Sequence, residues 1–101
     1  MVYVINSAKE FDELVESGKN VLVDFYADWS GPCKMQAPIV EAIAEENSDV
    51  VVAKLNVDDV DDVAERFNIV SIPTLLIFKG GKLVKNFVGV TMKANILAAL
   101  K

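Results

Sequence analysis

Hydrophobic and polar positions follow two periods along the chain, one typical of strands and the other typical of helices. Runs of β-branched and aromatic residues predict five strands, over residues 2–5, 21–27, 50–57, 74–78 and 82–88. The second and third runs are almost continuously apolar, without the alternation of a sheet that faces water on one side. These two strands are therefore expected to be buried on both faces of a sheet.

Between these strands, apolar residues recur three or four positions apart, which is typical of helices with one buried face. The spacing predicts helices over residues 7–17, 33–46 and 58–68. Acidic residues are expected to cap the third of these helices, and Thr91 is expected to cap a last helix. A Gly80-Gly81 pair predicts a hairpin turn between the last two strands.

The predicted order of elements is β-α-β-α-β-α-β-β-α. Strands separated by helices predict parallel crossovers, whereas the hairpin adds an antiparallel pair at the end. The expected fold class is therefore α/β, with a central mixed sheet of about five strands and helices on both faces. A single domain is expected over residues 1–101.

The chain has 10 Lys and Arg residues against 15 Asp and Glu, which gives a formal net charge of −5. Because phosphate affinity comes from Lys and Arg, this balance argues against nucleic-acid binding and against an anionic membrane surface. A hydrophobic content of 52% excludes a disordered chain. Neither a membrane-spanning run nor the basic start of a signal peptide is present, so a cytoplasmic location is expected.

The chain contains one cysteine, Cys33, and no histidine. These counts exclude an internal disulfide, Ser-His-Asp or Cys-His catalysis within the chain, and zinc sites made of histidine or several cysteines. Four aspartates cluster over residues 58–62, but the glycine and distal glutamate of a calcium loop are missing. We therefore expect no metal ion and no cofactor, and interpret the aspartates as the solvated start of a helix.

Chemistry is expected where the buried strand over 21–27 passes into the next helix, because ligands collect at the carboxyl ends of strands in α/β sheets. Cys33 lies there, and a helix N-terminus stabilises a thiolate. The same segment also has purely structural interpretations: an inert buried Cys33, a helix N-cap at Ser30, an ordinary turn at Gly31-Pro32 and a core position for Trp29.

Asp24 interrupts an otherwise apolar strand. Burial of a carboxylate costs several kcal/mol and raises its pKa, so a specific role is favoured over chance placement. Each candidate residue also has a structural alternative. Asp24 would be a hydrogen-bonded structural aspartate, and Lys54 a solvated lysine at a strand edge. Pro73 would only mark the start of a strand, and Gly89 would be a turn glycine.

Residues 24–34 read Asp-Phe-Tyr-Ala-Asp-Trp-Ser-Gly-Pro-Cys-Lys. This segment resembles the active-site segment of the thioredoxin family, where the usual motif is Trp-Cys-Gly-Pro-Cys-Lys, and Ser30 stands at the first cysteine. Residues 53–58, 71–81 and 88–90 match further thioredoxin segments in order and spacing. The resemblance therefore covers essentially the whole chain and implies the thioredoxin fold.

The resemblance also implies a role for each residue of the site. Ser30 takes the place of the exposed nucleophilic cysteine, and Cys33 that of the more buried resolving thiol. Asp24 is implied as a general acid/base that exchanges a proton with Cys33, and Lys54 as the residue paired with Asp24. The surface implied to contact partner proteins comprises Trp29, Gly31, Pro32, Ile72, Pro73 and Gly89, with a cis Ile72-Pro73 bond beside the redox turn.

The activity implied is that of a monomeric protein thiol–disulfide oxidoreductase, which receives electrons from thioredoxin reductase and acts on disulfide-containing proteins. A serine hydroxyl is a very poor nucleophile toward sulfur, so this chain is expected to fail in the dithiol cycle. The favoured origin of Ser30 is an engineered Cys→Ser substitution. The alternative is a naturally redox-silent module that binds proteins. A relation to single-cysteine glutaredoxins is disfavoured, because those keep the first cysteine and lose the second.

Overall fold

A computed structural model of the chain describes all residues, 1–101. Its elements are β1 (Tyr3–Ile5), α1 (Ala8–Glu16), β2 (Asn20–Tyr26), α2 (Gly31–Glu46), β3 (Val50–Asn56), α3 (Asp61–Arg66), β4 (Thr74–Lys79), β5 (Lys82–Val88) and α4 (Lys93–Leu100). The five strands form one mixed sheet in the order β1-β3-β2-β4-β5. The predicted α/β class, element order and number of strands are confirmed.

One crossover differs from the prediction. β1 and β2 both run parallel to β3, as expected, but β4 runs antiparallel to β2 although a helix separates it from β3. The six residues of α3 rise only about 9 Å, whereas seven strand residues span about 23 Å. α3 alone therefore does not carry the chain back along the sheet, and β4 begins at the end of the sheet where β3 finishes.

Two helix starts also differ from the prediction. α3 begins at Asp61 with no side-chain cap, and Asp58 lies in the preceding turn, where its N–H donates to Asn56 Oδ1 at 2.9 Å. α4 begins at Lys93, and Thr91 does not cap it, because the Thr91 hydroxyl instead donates to the main-chain oxygen of Gly89 at 3.0 Å. In both cases a local side-chain bond holds the predicted capping residue outside the helix.

The core lies on both faces of the sheet. On one face α1 and α3 cover 13 buried residues, with Phe11, Phe25 and Phe78 among them. On the other face α2 and α4 cover nine buried residues, with Leu22 and Ile77 among them. β2 is therefore buried on both sides, as its sequence predicts. None of the helices is long and apolar enough to cross a membrane.

Candidate functional site

The turn between β2 and α2 is built by Ser30, Gly31 and Pro32. Ser30 is the N-cap of α2, since its backbone is extended and its Oγ accepts a hydrogen bond from the Cys33 N–H at 3.2 Å. Gly31 and Pro32 are the first two residues of α2, where the missing proline N–H would have no helical partner. The predicted N-cap interpretation of Ser30 is confirmed, and the helix starts two residues earlier than predicted.

Cys33 lies on the first turn of α2 and is 4% exposed. It lines a shallow groove of about 160 Å³ together with Tyr26 and Ala27 from the end of β2 and Lys34 and Ala37 from α2. The sulfur is thus largely covered by protein but lies at the wall of a surface groove. Ser30 precedes it by three residues, the spacing at which two side chains on one helical turn are neighbours.

Trp29 is 73% exposed, which contradicts the interpretation of this residue as core. Its indole Nε1 donates a hydrogen bond to Asp58 Oδ2 at 3.0 Å. Asp58 lies in the turn after β3, so this bond joins the ends of two neighbouring strands. The indole is therefore fixed in place while its surface remains open to solvent.

Pro73 and Gly89 meet at the same end of the sheet as Cys33. Thr74, the first residue of β4, is in register with Phe25 near the end of β2. The Ile72-Pro73 bond is cis, as the resemblance predicts, and the main-chain oxygen of Pro73 accepts a hydrogen bond from the Gly89 N–H at 2.8 Å. The sequence therefore identified residues from three separate segments that the fold brings together.

Gly89 has a φ angle of +88°, in the left-handed region that favours glycine. A Cβ atom added there would meet no atom of the chain within 4 Å. The requirement for glycine is therefore set by the backbone rather than by crowding within the chain. This geometry supports the turn-glycine interpretation.

Asp24 and Lys54 are in register on the adjacent strands β2 and β3. Asp24 is 3% exposed, Lys54 is half-buried, and both line a small cavity of about 20 Å³ beneath α2, with Ala37 and Val40. This volume is about that of one water molecule. The two charged groups are close, but no Asp24–Lys54 ion pair forms within 4.0 Å. The Lys54 ammonium instead lies 5.5 Å from the centre of the Tyr26 ring.

Burial raises the pKa of Asp24 to about 7, because the ionised carboxylate loses its hydration, and the positive charge of Lys54 opposes this rise. Asp24 Oδ1 has no hydrogen-bond partner. The interpretation of Asp24 as a hydrogen-bonded structural aspartate is therefore disfavoured. A carboxyl group with this pKa can both accept and release a proton near neutral pH. Ala37 lines both the Asp24 cavity and the Cys33 groove, so the two groups lie on either side of one alanine.

Gln36 is a residue of this region that the sequence interpretation missed. Its side chain is completely buried, and its amide both accepts from the Thr91 N–H at 2.7 Å and donates to the Thr91 main-chain oxygen at 3.0 Å. It thus joins the first turns of α2 to the loop that contains Gly89. A signal was present, because Gln36 occupies the buried stripe of α2 that continues at Val40 and Ile43.

The chain matches the sequence model of the family described as Thioredoxin over residues 2–101. It is 51% identical over 90 residues to Thioredoxin-2 of Saccharomyces cerevisiae, covering 88% of this chain and 86% of the yeast protein. It is 47% identical over 97 residues to the Bifunctional thioredoxin reductase/thioredoxin of Mycobacterium leprae, covering 95% of this chain and 21% of that protein.

The structure is similar to that of Plasmodium falciparum thioredoxin, with a TM-score of 0.90 and 34% identity, covering 98% of this chain and 96% of the other. The fold, the family match and the close relatives agree over almost the full length. The chain therefore belongs to the thioredoxin family of thiol–disulfide oxidoreductases.

Proposed function

We propose that this chain is a thioredoxin whose dithiol cycle is blocked, because Ser30 replaces the nucleophilic cysteine. The observation that supports this proposal is that Ser30 Oγ caps α2 through the Cys33 N–H at 3.2 Å, in the position of the family's first cysteine. The surrounding residues keep the arrangement of an active site. We propose that Ser30 replaces a cysteine through an engineered substitution at an otherwise intact site.

The dithiol cycle needs two thiols in the same site. The first thiolate attacks a substrate disulfide, forms a mixed disulfide and releases one substrate thiolate. The second thiolate then attacks the mixed disulfide, so that the enzyme becomes a disulfide and the substrate leaves fully reduced. A serine at position 30 can supply neither the attacking thiolate nor half of the enzyme disulfide, so the cycle stops.

Cys33 retains one step of this chemistry. Its thiol can give its proton, through one water molecule in the cavity beneath α2, to the carboxylate of Asp24, whose pKa is about 7, and the thiolate can attack a substrate disulfide. One S–S bond breaks, the Cys33–substrate S–S bond forms, and the departing substrate thiolate takes up a proton. Because no second cysteine is present, this mixed disulfide persists until an external thiol reduces it.

We propose that the partners are those of the family: thioredoxin reductase and proteins that contain disulfides. The Mycobacterium leprae relative, whose name combines a reductase and a thioredoxin, supports the first of these. The partner-binding surface would comprise Trp29, Gly31, Pro32, Ile72, Pro73 and Gly89. We further propose that the chain acts as a cytoplasmic monomer without a cofactor.

A second candidate function is a naturally redox-silent module that binds proteins. The large exposed fraction of the Trp29 side chain supports it, because this side chain offers apolar contact area whether or not a thiol is present beside it. In this case Ser30 would serve only as the N-cap of α2.

Restoration of the missing thiol separates the two candidates. Dithiothreitol-driven reduction of a protein disulfide is measured for the parent chain, for Ser30→Cys and for Ser30→Ala. We expect turnover from Ser30→Cys alone, because Ser30→Ala changes the same position without adding sulfur. If Ser30→Cys folds, shows two thiols when the reduced chain is unfolded in denaturant and still fails to turn over, the redox proposal is wrong. The binding candidate is then tested through Trp29→Ala.

A further inference from the structure

Charge is divided unevenly along the chain. Residues 1–65 contain all 15 acidic residues and four lysines, whereas residues 66–101 contain six basic residues and no acidic residue. The two parts therefore have net charges of −11 and +6. The basic part includes β4, β5 and α4, which form one side of the molecule. A strongly acidic protein thus has one basic edge.

Three lysines of this edge are close together on the face of the sheet that α2 and α4 cover. Lys79 on β4 is directly opposite Lys82 on β5, and Lys85 is in register with Ile77, two positions from Lys79. The Lys79 ammonium donates a hydrogen bond to the main-chain oxygen of Lys101 at 2.7 Å, whereas Lys82 and Lys85 take part in no ion pair. Like charges directly opposite each other destabilise a strand pair, so folding alone does not favour this arrangement.

A groove of about 530 Å³ lies beside these lysines, between β5 and α4. Val84, Phe87, Ala98 and Ala99 give it an apolar lining, and Lys79, Lys85 and Asn95 supply polar groups. The Lys85 ammonium lies 5.4 Å from the centre of the Phe87 ring, so its side chain covers part of the apolar lining. The groove thus combines apolar area with positive charge.

β5 is the last strand of the sheet, so one side of its backbone has no strand partner. Its seven residues would pair with about 23 Å of extended chain. We propose that the β5 edge and the groove beside it bind an extended acidic segment of a partner protein. The segment would add a strand to the sheet, place carboxylates against Lys82 and Lys85, and place apolar side chains in the groove.

The charge division favours a short peptide segment over a nucleic acid. The molecule measures only 29 × 28 × 21 Å, so a long polyanion on β5 would also come near the acidic part of the surface. Where such a polyanion passes within about 8 Å of acidic side chains, the Debye length at physiological salt, their repulsion is only partly screened. A segment no longer than β5 would meet only the basic edge.

This surface lies away from the redox turn. Val88 at the end of β5 pairs with Thr74, which is near the site, whereas Lys82 pairs with Lys79 at the opposite end of the hairpin. A partner held at Lys82 and Lys85 would therefore leave Cys33 accessible. The proposal goes beyond the redox function and does not depend on it.

The test is an NMR titration of the ¹⁵N-labelled chain at low ionic strength. The probe is the synthetic peptide Glu-Thr-Val-Thr-Glu-Thr-Val-Thr, whose Glu and Val side chains lie on one face of a strand, and the control peptide has Gln in place of Glu. We expect the Glu peptide to shift the amide signals of β5 and α4, and the Gln peptide to bind more weakly. The Lys82→Gln/Lys85→Gln variant should bind the Glu peptide about tenfold more weakly, with a difference that shrinks as salt is added.

The matched control is Lys9→Gln/Lys19→Gln, which makes the same change in net charge elsewhere and should bind like the parent chain. Equal weakening in both variants, or no shift of β5 signals, would overturn the proposal. A single-stranded dT oligonucleotide that shifts the same signals at lower concentration would assign the edge to nucleic acid instead. The Lys82→Gln/Lys85→Gln variant could also self-associate while it binds the peptide as the parent chain does. That result would show that the two lysines only prevent β5 from pairing with a second copy of the chain.

Discussion

The two ends of the sheet are built on different principles. The site end, where β2 and β3 finish, lies beside the turn that leads to Cys33, and the far end is where these strands begin. Six polar or charged residues of the chain are buried, and all of them lie at the site end. They are in the last parts of β2 and β3, at the start of β4, and in the turns and helix starts nearby. These six residues are Asp24, Ser30, Gln36, Asn56, Thr74 and Thr91. The far end buries only hydrophobic side chains, such as Val21 and Phe78.

This difference implies that burial stabilises the fold less at the site end than at the far end. Apolar burial at the far end contributes about 25 cal/mol per Å² and needs no specific partner. A buried polar group stabilises the fold only when its hydrogen bonds are made, and a buried charge opposes folding unless it is compensated. Asp24 has only partial compensation, since Lys54 attracts its charge from beyond ion-pair distance and its Oδ1 has no hydrogen-bond partner. Departures from the rules of folding concentrate at functional sites.

The largest effect is expected from Asp24→Asn. The pKa of Asp24 is about 7 in the folded chain, against an ordinary value of 3.8. The folded state therefore holds the proton more tightly than the unfolded state, and the stability contributed by this residue falls as the pH rises from about 4 to 7. Relative to the parent chain, the free energy of unfolding of Asp24→Asn should increase by about 4 kcal/mol between pH 4 and pH 8. Urea unfolding at a series of pH values measures this difference.

The control for this prediction comes from the far end. Ile77→Val removes one methylene group from the apolar core and should cost about 1 kcal/mol, by the same amount at pH 4 and at pH 8. If the difference in the free energy of unfolding between Asp24→Asn and the parent chain is likewise independent of pH, the pKa of Asp24 is not raised by folding. The contrast between the two ends would then disappear.

The far end was the easier to predict from the sequence. Apolar runs gave the strands of the sheet, because hydrophobic burial depends on composition and spacing alone. The direction of β4 was not predicted, since it depends on the path of the whole segment between β3 and β4, which periodicity does not reveal. The starts of α3 and α4 were also missed, because Asn56 and Gly89 offer local hydrogen-bond partners that no periodicity reveals.

An intermediate effect is expected from Gln36→Met. The change keeps the volume of the buried side chain but leaves the N–H and the main-chain oxygen of Thr91 without partners. We expect a loss of about 2 kcal/mol in the free energy of unfolding, and faster hydrogen exchange at the Thr91 amide. In the background of Ser30→Cys, the loosened Gly89 loop should raise KM for a protein disulfide more than it lowers kcat.

The matched variant is Gln36→Glu, whose carboxylate can still accept from the Thr91 N–H but cannot donate to its carbonyl when ionised. It should therefore retain the protection of the Thr91 amide better than Gln36→Met does. Equal exchange rates in the two variants would mean that the hydrogen bond to the N–H is not what fixes the loop.

Within the candidate site, contiguous motifs predicted a turn into a helix at Ser30 and Cys33 and a cis bond before Pro73, and the structure has this geometry. Asp24 was singled out by the physical cost of a charge in an apolar strand, and it is buried. Gln36 was missed because an isolated glutamine in a helix is usually exposed. Its pairing with Thr91 is a contact between residues far apart in the sequence, and one sequence contains no direct record of such contacts.

The smallest effect is expected from the N-cap at the site. Ser30→Ala removes the acceptor of the Cys33 N–H and should cost about 1 kcal/mol. Ser7→Ala offers the comparison at an exposed helix start, since Ser7 Oγ accepts from the Glu10 N–H at the same distance of 3.2 Å, and it should cost about the same. Denaturant unfolding at one pH measures both.

The pair refines the contrast between the two ends of the sheet. If Ser30→Ala is destabilising by about as much as Ser7→Ala, the serine at the site stabilises the fold as any N-cap does, and only Asp24 opposes folding there. If Ser30→Ala is instead stabilising, the hydroxyl costs more by its burial than it contributes by capping, and position 30 joins Asp24 as a strained position. In that outcome a residue that suits helix capping in general would be poorly suited to this site, as expected for a position built for a different side chain.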